Sequence, residues 1–295
     1  MIFDLLKLYD RYDYLFAILL SFIMWIIGFC TKHFSQWIKK HKIRKMLGFK
    51  KDNVEILLPG RYGKLTLGSA QAATELIDTF ISQGDMDAAI IAKERIMNVA
   101  ELPSMIVTKP STENNNNIFC IGGPLANPYV ATYLRDRKVF EPLTFGVLDT
   151  APYLCDYNRA LLQDIVHKDP CENGVGIRSI RLNGKEIFKF ERGKDGYVFL
   201  ARLSNGLDLQ NEEKGTVHIC FGNNGDATKH AVMSYRKYEK KLNKLLKHKK
   251  HYCFIIGCDQ NGNLNFNNCM DITDELFVKK DGQKKQNFIK NKKNY

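Results

Sequence analysis

The chain lacks the cysteine pattern of a stapled or metal-bound fold. Its eight cysteines are spread over 295 residues. No two form a C-x-x-C pair, and the tightest spacing is Cys253 to Cys258. A zinc ribbon or thioredoxin motif is therefore excluded, and reduced thiols in a cytosol are the expectation. Walker A and G-x-G-x-x-G phosphate loops, the G-x-S-x-G nucleophile elbow and the H-E-x-x-H zinc motif are also missing, so no cofactor, metal or catalytic class is specified. There is no repeat at solenoid spacing. Only one run is apolar enough to cross a bilayer, which excludes a polytopic membrane protein. With 44% hydrophobic and 26% charged residues, wholesale disorder and collagen are excluded as well. The length allows one or two domains with a sizeable core.

Positive charge is abundant but local. The net charge is +12. Residues 32–51 carry +8, residues 229–250 carry +8 and residues 279–295 carry +6. Together they hold +22, so the remainder is net −10. A generally basic nucleic-acid surface is not favoured, because the pI comes from three patches.

Residues 14–31, YLFAILLSFIMWIIGFCT, contain no charge. Eighteen helical residues reach about 27 Å, close to the roughly 30 Å of a hydrocarbon core. Tyr14, Trp25 and Trp37 lie within or near the ends, as interfacial aromatics do. The preceding segment nets −1 and no small-residue cleavage site follows, which argues against a secretory signal. The basic flank lies after the span. By the positive-inside rule, the expectation is a cell-membrane protein with a single pass, residues 1–13 outside and the body in the cytoplasm. Phe34, Trp37, Ile38 and Leu47 intersperse the cations of the flank. They suit either a helix in the headgroup layer or a solvated linker that only fixes topology.

The expected organisation is a transmembrane helix over 14–31, a basic juxtamembrane segment over 32–51, a helical lead-in over 52–110, an α/β ligand-recognition domain over 111–278 and a basic disordered tail over 279–295. In the lead-in, 54–58 reads as a short strand. Ser69 is placed as the cap of a helix carrying Ala72, Leu76, Ile77, Phe80 and Ile81, and 87–98 reads as a second helix. Residues 108–117 read as a loop. Asn183-Gly184 between apolar runs signals a type I′ hairpin, 197–203 is another strand, and a second hairpin turns at Asn261-Gly262. The fold class expected is α/β, a Rossmann-like mixed sheet with β-hairpin insertions.

Two strand–loop–helix units carry the candidate site. In the first, 118–121 is a buried strand, Gly122, Gly123 and Pro124 turn, and Asn127-Pro128 start a helix as N-cap and N1. In the second, 217–221 is a strand, Gly222 to Gly225 form the loop, and Asp226 or Thr228 caps the next helix. Helix N-termini offer free amides and partial positive charge to a phosphate or carboxylate. Glycine also serves tight turns with no ligand at all. If the strands are parallel neighbours, both loops open at one edge, with Gly122, Gly123, Asn127, Asn223, Gly225, Asp226 and Thr228 around one cleft.

The segments GGPLANP, DGYVFLARL and GTVHICFGNNGDAT, in that order, resemble a group of membrane-anchored prokaryotic proteins with a GGP-x-x-N loop. More distantly they are similar to Rossmann-like nucleotide-sensing and nucleoside-processing domains of bacterial conflict systems. The resemblance covers about 117–266. It implies a nucleotide-like ligand at the two loops and a setting in defence against phage. Deoxyribosyltransferase-like enzymes add a downstream acid nucleophile, which has no placement in this sequence.

Other constellations carry less. His218 inside a strand reads as structural. His167 with Asp164 has no surrounding motif. Asp226 suits a general base or a helix cap. Asp271 or Thr273 starts a last helix. In 232–246, apolar residues at helical spacing with lysines between them describe an amphipathic helix with a basic outer face. The functional expectation is a sensor or effector that binds a nucleotide-like or phosphate-bearing ligand and changes the assembly of membrane-tethered domains, including homo-oligomers. The alternatives are a nucleotide or nucleoside hydrolase or transferase, and a scaffold with no small ligand.

Overall fold

Nothing between Ile2 and Leu47 breaks a helix: the stretch has no proline and one glycine. It forms a single helix, α1 (Ile2–Leu47), of 46 residues, about 69 Å long at 1.5 Å per residue. The structure, a computed structural model, describes residues 2–49, 53–59, 61–67, 74–80, 83–109, 117–147, 164, 166–168, 177–189, 196–204, 215–246, 248–259 and 261–277. Within α1, the part Ala17–Leu47 contains a window long and apolar enough to cross a membrane, with none of that window buried. Gly48 ends the helix at a φ of +69°, and its N–H donates to the Arg44 carbonyl at 2.7 Å. Left-handed backbone favours glycine at such a helix end.

The body is a mixed α/β fold. After α1 come β1 (Val54–Leu57), β2 (Arg61–Leu67), β3 (Thr74–Phe80), α2 (Gln83–Glu94), a π turn (Arg95–Val99), β4 (Ser104–Val107), β5 (Asn117–Ile121) and α3 (Pro128–Arg135). Then follow β6 (Leu143–Val147), β7 (Val166–Lys168), β8 (Ile177–Leu182), β9 (Lys185–Lys189), β10 (Gly196–Ser204), β11 (Thr216–Gly222), α4 (Gly225–Lys237), α5 (Glu239–Leu246), β12 (Tyr252–Cys258), β13 (Leu264–Asp271) and α6 (Thr273–Phe277). Seven strands form the main sheet in the order β13-β12-β10-β11-β5-β1-β4. The four from β11 to β4 run parallel, and β10, β12 and β13 alternate against them.

Both faces of this sheet are covered, which is why its central strands are apolar without alternation. Every residue of β5 and β12 is buried. On one face Phe119, Val198, Leu200, Cys220 and Phe254 pack under the end of α1, α2, α4 and α5. On the other, Ile118, Phe199, Ile219 and Phe221 meet α3 and a second, four-stranded sheet of order β7-β6-β8-β9. Phe199 stacks on Phe221 with ring centroids 4.7 Å apart, and Phe145 of β6 meets both edge-on at 6.0 Å. Burying each such ring contributes about 1.5–3 kcal/mol.

The structure corrects several expectations. Residues 74–80, expected in a helix, form β3, paired antiparallel with β2. Thr74, Ile77 and Thr79 are β-branched and suit a strand. Segment 52–110 is not a helical lead-in: β1 and β4 are strands of the main sheet, and β1 pairs directly with β5. The helix expected over 87–98 starts earlier, at Gln83, and its last turn is π. The basic amphipathic stretch is two helices, parted at Tyr238. Asn117 belongs to β5. The cap expected at Ser69, the loop residues 110–116 and the tail 279–295 lie outside the described residues.

Candidate functional site

Parallel pairing puts the two glycine loops side by side. β11 pairs with β5 from Val217↔Ile118 to Cys220↔Ile121, so both loops leave the same sheet edge. The Gly122 N–H donates to the Cys220 carbonyl at 3.2 Å. The side chains of Asn127, Asn223 and Thr228, nominated for a ligand, are, however, engaged with the fold. Asn127 caps α3: its Oδ1 accepts from the Tyr129 and Val130 amides at 3.1 and 3.4 Å, and its Nδ2 donates to the Ile121 carbonyl at 3.0 Å. Asn223 is buried, and its Oδ1 accepts from the Tyr197 amide at 3.4 Å.

The cap of α4 is Asn224, not Asp226 or Thr228. Its Oδ1 accepts from the Ala227 amide at 2.8 Å. The Thr228 hydroxyl donates to the Asn224 carbonyl at 2.9 Å and accepts from the Gly222 amide at 3.1 Å. Asp226 is exposed in the first turn.

The glycines have packing reasons. A Cβ on Gly123 would lie 2.9 Å from the Phe221 ring, and one on Gly122, at φ +89°, would lie 3.1 Å from Pro59. The carbonyl of Gly225 faces α2, 2.7 Å from where a Cβ on Gly84 would stand. The loops meet as expected, but they meet each other and their neighbours.

A cavity of about 250 Å³ lies elsewhere, at the root of α1. Three helix ends and one strand build it. Ile43, Met46 and Leu47 come from α1; Ile91, Ala92, Arg95 and Val99 come from α2 and its π turn; Val232, Tyr235 and Arg236 come from α4; Phe119 of β5 also lines it. A π turn adds a residue to the helical circuit and is often found at functional sites. Glu94 and Asn98 complete a polar side. The Arg95 guanidinium pairs with Glu239 of α5. Its Nε–H is buried and has no acceptor among the described residues. Arg236 is exposed at the cavity rim. The arrangement is an apolar and aromatic chamber with cations at one side.

The wall contributed by α1 is held in place by buried polar groups. Arg202 of β10 is 5% exposed. Its Nη1 donates to the Met46 carbonyl at 2.9 Å and the Lys45 carbonyl at 3.3 Å, and its Nε donates to the Lys250 carbonyl at 3.1 Å. A cation at a helix C-terminus also answers the helix dipole. His218, fully buried, bonds the Leu47 carbonyl through Nε2. That acceptor requires the proton on Nε2, so Nδ1 accepts from the Tyr252 hydroxyl at 3.3 Å. Burial first, and then the Arg202 charge, hold the His218 pKa down at about 3, against the pull of its bond to Leu47. His218 is thus neutral and structural, stacked on Phe119 at 5.6 Å. The Thr216 hydroxyl donates to the Gly48 carbonyl at 3.2 Å. Arg44 donates to the Ala100 and Glu101 carbonyls at 2.7 and 3.1 Å.

No family model, curated protein or solved structure matches the chain.

The remaining candidates are structural. His167 bridges the Thr144 and Ser179 hydroxyls, each at 3.1 Å, and it and Ser179 flank Gly146 in the register of the second sheet. Burial raises the Cys120, Cys220 and Cys253 thiols, which makes them poor nucleophiles. No group of three metal-binding side chains occurs among the described residues. Sequence reading passed over Arg95, Ile43, Met46 and Arg202. A lone arginine within the apolar strand GYVFLARL is the one signal that could have pointed to the lock on α1.

Proposed function

We propose that this protein is a membrane-anchored sensor or effector whose α/β domain binds a small ligand at the root of α1. The reading rests on one observation: the last turn of a membrane-length helix is itself a wall of the cavity. Occupancy can act on that turn directly, and through it on the anchor and on the assembly of tethered domains.

The lining suits a ligand with a flat or apolar part and an anionic group. Phe119, Ile43 and Met46 would take the first, and Arg95 with Arg236 the second. A nucleotide-like molecule has both features. The parallel half of the sheet, flanked by helices, supports a Rossmann-like reading of the fold. The basic flank after the apolar run supports a cytoplasmic body, and labelling of a residue near 295 by an impermeant reagent on intact cells would contradict that orientation. The setting in phage defence rests on the sequence resemblance alone.

Native mass spectrometry of the full chain released from nanodiscs tests the site. A small anionic adduct is expected on the wild type. Ala92→Phe, which fills the chamber, should lose it, and Asp226→Ala, at the glycine loops, should keep it. The opposite pattern would return the ligand to the loops. A chain with no adduct would favour a scaffold.

A further inference from the structure

The two edges of the main sheet differ in charge. At one edge stand the glycine loops, whose 122–127 and 223–226 segments hold no cation and one acid, Asp226. At the other, β10 ends and β11 and β12 begin. There the Lys250 carbonyl accepts from Arg202 and the Gly48 carbonyl accepts from Thr216, so this is the edge where α1 enters. Helix α5 packs beside α1 and turns its apolar residues Leu242 and Leu246 inward. Lys240, Lys241 and Lys244 of α5 are exposed, as are Lys39, Lys42 and Lys45 of α1. Glu239, the acid of α5, is paired with Arg95.

The distance to a bilayer follows from the helix rise. Trp37 is 59% exposed and Phe34 is 61% exposed just past the apolar run, where aromatic residues mark the headgroup layer. From Trp37 to Ile43, the first buried residue of the root, α1 advances about 9 Å. That is close to the screening length of roughly 8–10 Å at physiological salt. Lysines beside residues 43–47 therefore sit where the field of an anionic leaflet still acts.

We propose that the lysine face of α5, together with the exposed lysines of α1, is a docking surface for an anionic lipid leaflet, the one from which α1 emerges. The partner is lipid because a membrane-length helix ends at this edge and carries exposed aromatics next to it. Docking holds the domain in one orientation, glycine loops away from the membrane.

The test uses the full chain in nanodiscs of phosphatidylcholine alone or with phosphatidylserine added. A fluorescent amino acid replaces His248, exposed at the basic edge, or Asp226 at the opposite edge, and energy transfer to headgroup acceptors is read. Phosphatidylserine should raise transfer from position 248 and not from position 226. The rise should disappear at high salt and in the K240Q/K241Q/K244Q variant. These lysines are exposed, so the variant should keep its thermal transition; if it does not, single substitutions read the same signal in thirds. Transfer that ignores phosphatidylserine, or that the lysine substitutions leave unchanged, would overturn the proposal. So would co-purified nucleic acid displaced by those substitutions with no lipid dependence.

Discussion

Replacing Arg202 by methionine removes the donor that holds the end of α1. Three carbonyls lose a charged partner at 2.9, 3.3 and 3.1 Å: those of Met46, Lys45 and Lys250. Hydrogen bonds to charged groups contribute about 1.5–3 kcal/mol each, and a buried acceptor left alone costs about 1–3 kcal/mol. Against this, the variant no longer desolvates a guanidinium, which costs several kcal/mol. The packing of the arginine stem over Tyr252, with the guanidinium 5.0 Å from the ring, is largely kept by methionine.

The net destabilisation is about 3 kcal/mol. With a urea slope of about 2 kcal/mol per molar, the unfolding midpoint of the full chain should fall by about 1.5 M. Hydrogen exchange should show where the loss falls, with residues 43–49 exchanging faster and β5 little changed below the transition. Arg202→Lys should recover part of the midpoint, since one ammonium cannot reach all three carbonyls. An unchanged midpoint, or unchanged protection over 43–49, would refute the claim that Arg202 locks the helix.

His218 makes stability depend on pH. Its folded pKa of about 3 lies below its ordinary 6.5, so the unfolded chain binds the extra proton. The stability is full above pH 6.5 and is lost as pH falls toward about 3, with about 2 kcal/mol gone at pH 5; urea titrations at pH 7 and 5 measure it. Gly123→Val should destabilise the fold by about 1–3 kcal/mol whether or not a ligand binds, because its Cβ would press on Phe221, and a lowered thermal transition reads it. Asn127→Ala should cost about 1–2 kcal/mol through the lost cap of α3, read as a shifted midpoint with an unchanged slope.

Local signals carried much of the fold. The five apolar residues of β5, the Asn127-Pro128 start of α3 and the glycine loop after β11 are short-range features, and each stands where its residues place it. Asn183 and Gly184, both at positive φ, join β8 to β9 in the structure. Residues 74–80 misled because Leu76, Ile77 and Phe80 fit a helical spacing while the strand rests on pairing with 61–67. The cavity was illegible for a related reason. Its walls come from residues 43–47, 91–99 and 232–236, and only the packed sheet brings those three helix ends together. The glycine loops gave the opposite lesson. Their composition resembles an anion cradle, but close packing against Phe221 and Pro59, and the caps Asn127 and Asn224, account for those residues.

The ligand's place is the point on which the functional reading stands. Hydrogen exchange of the full chain in nanodiscs, before and after co-purified small molecules are washed out, addresses it most directly. Removal should loosen residues 43–49 and 91–99 and leave 122–127 and 223–228 as they were. A change confined to the two glycine loops, with the root of α1 unaffected, would contradict the account.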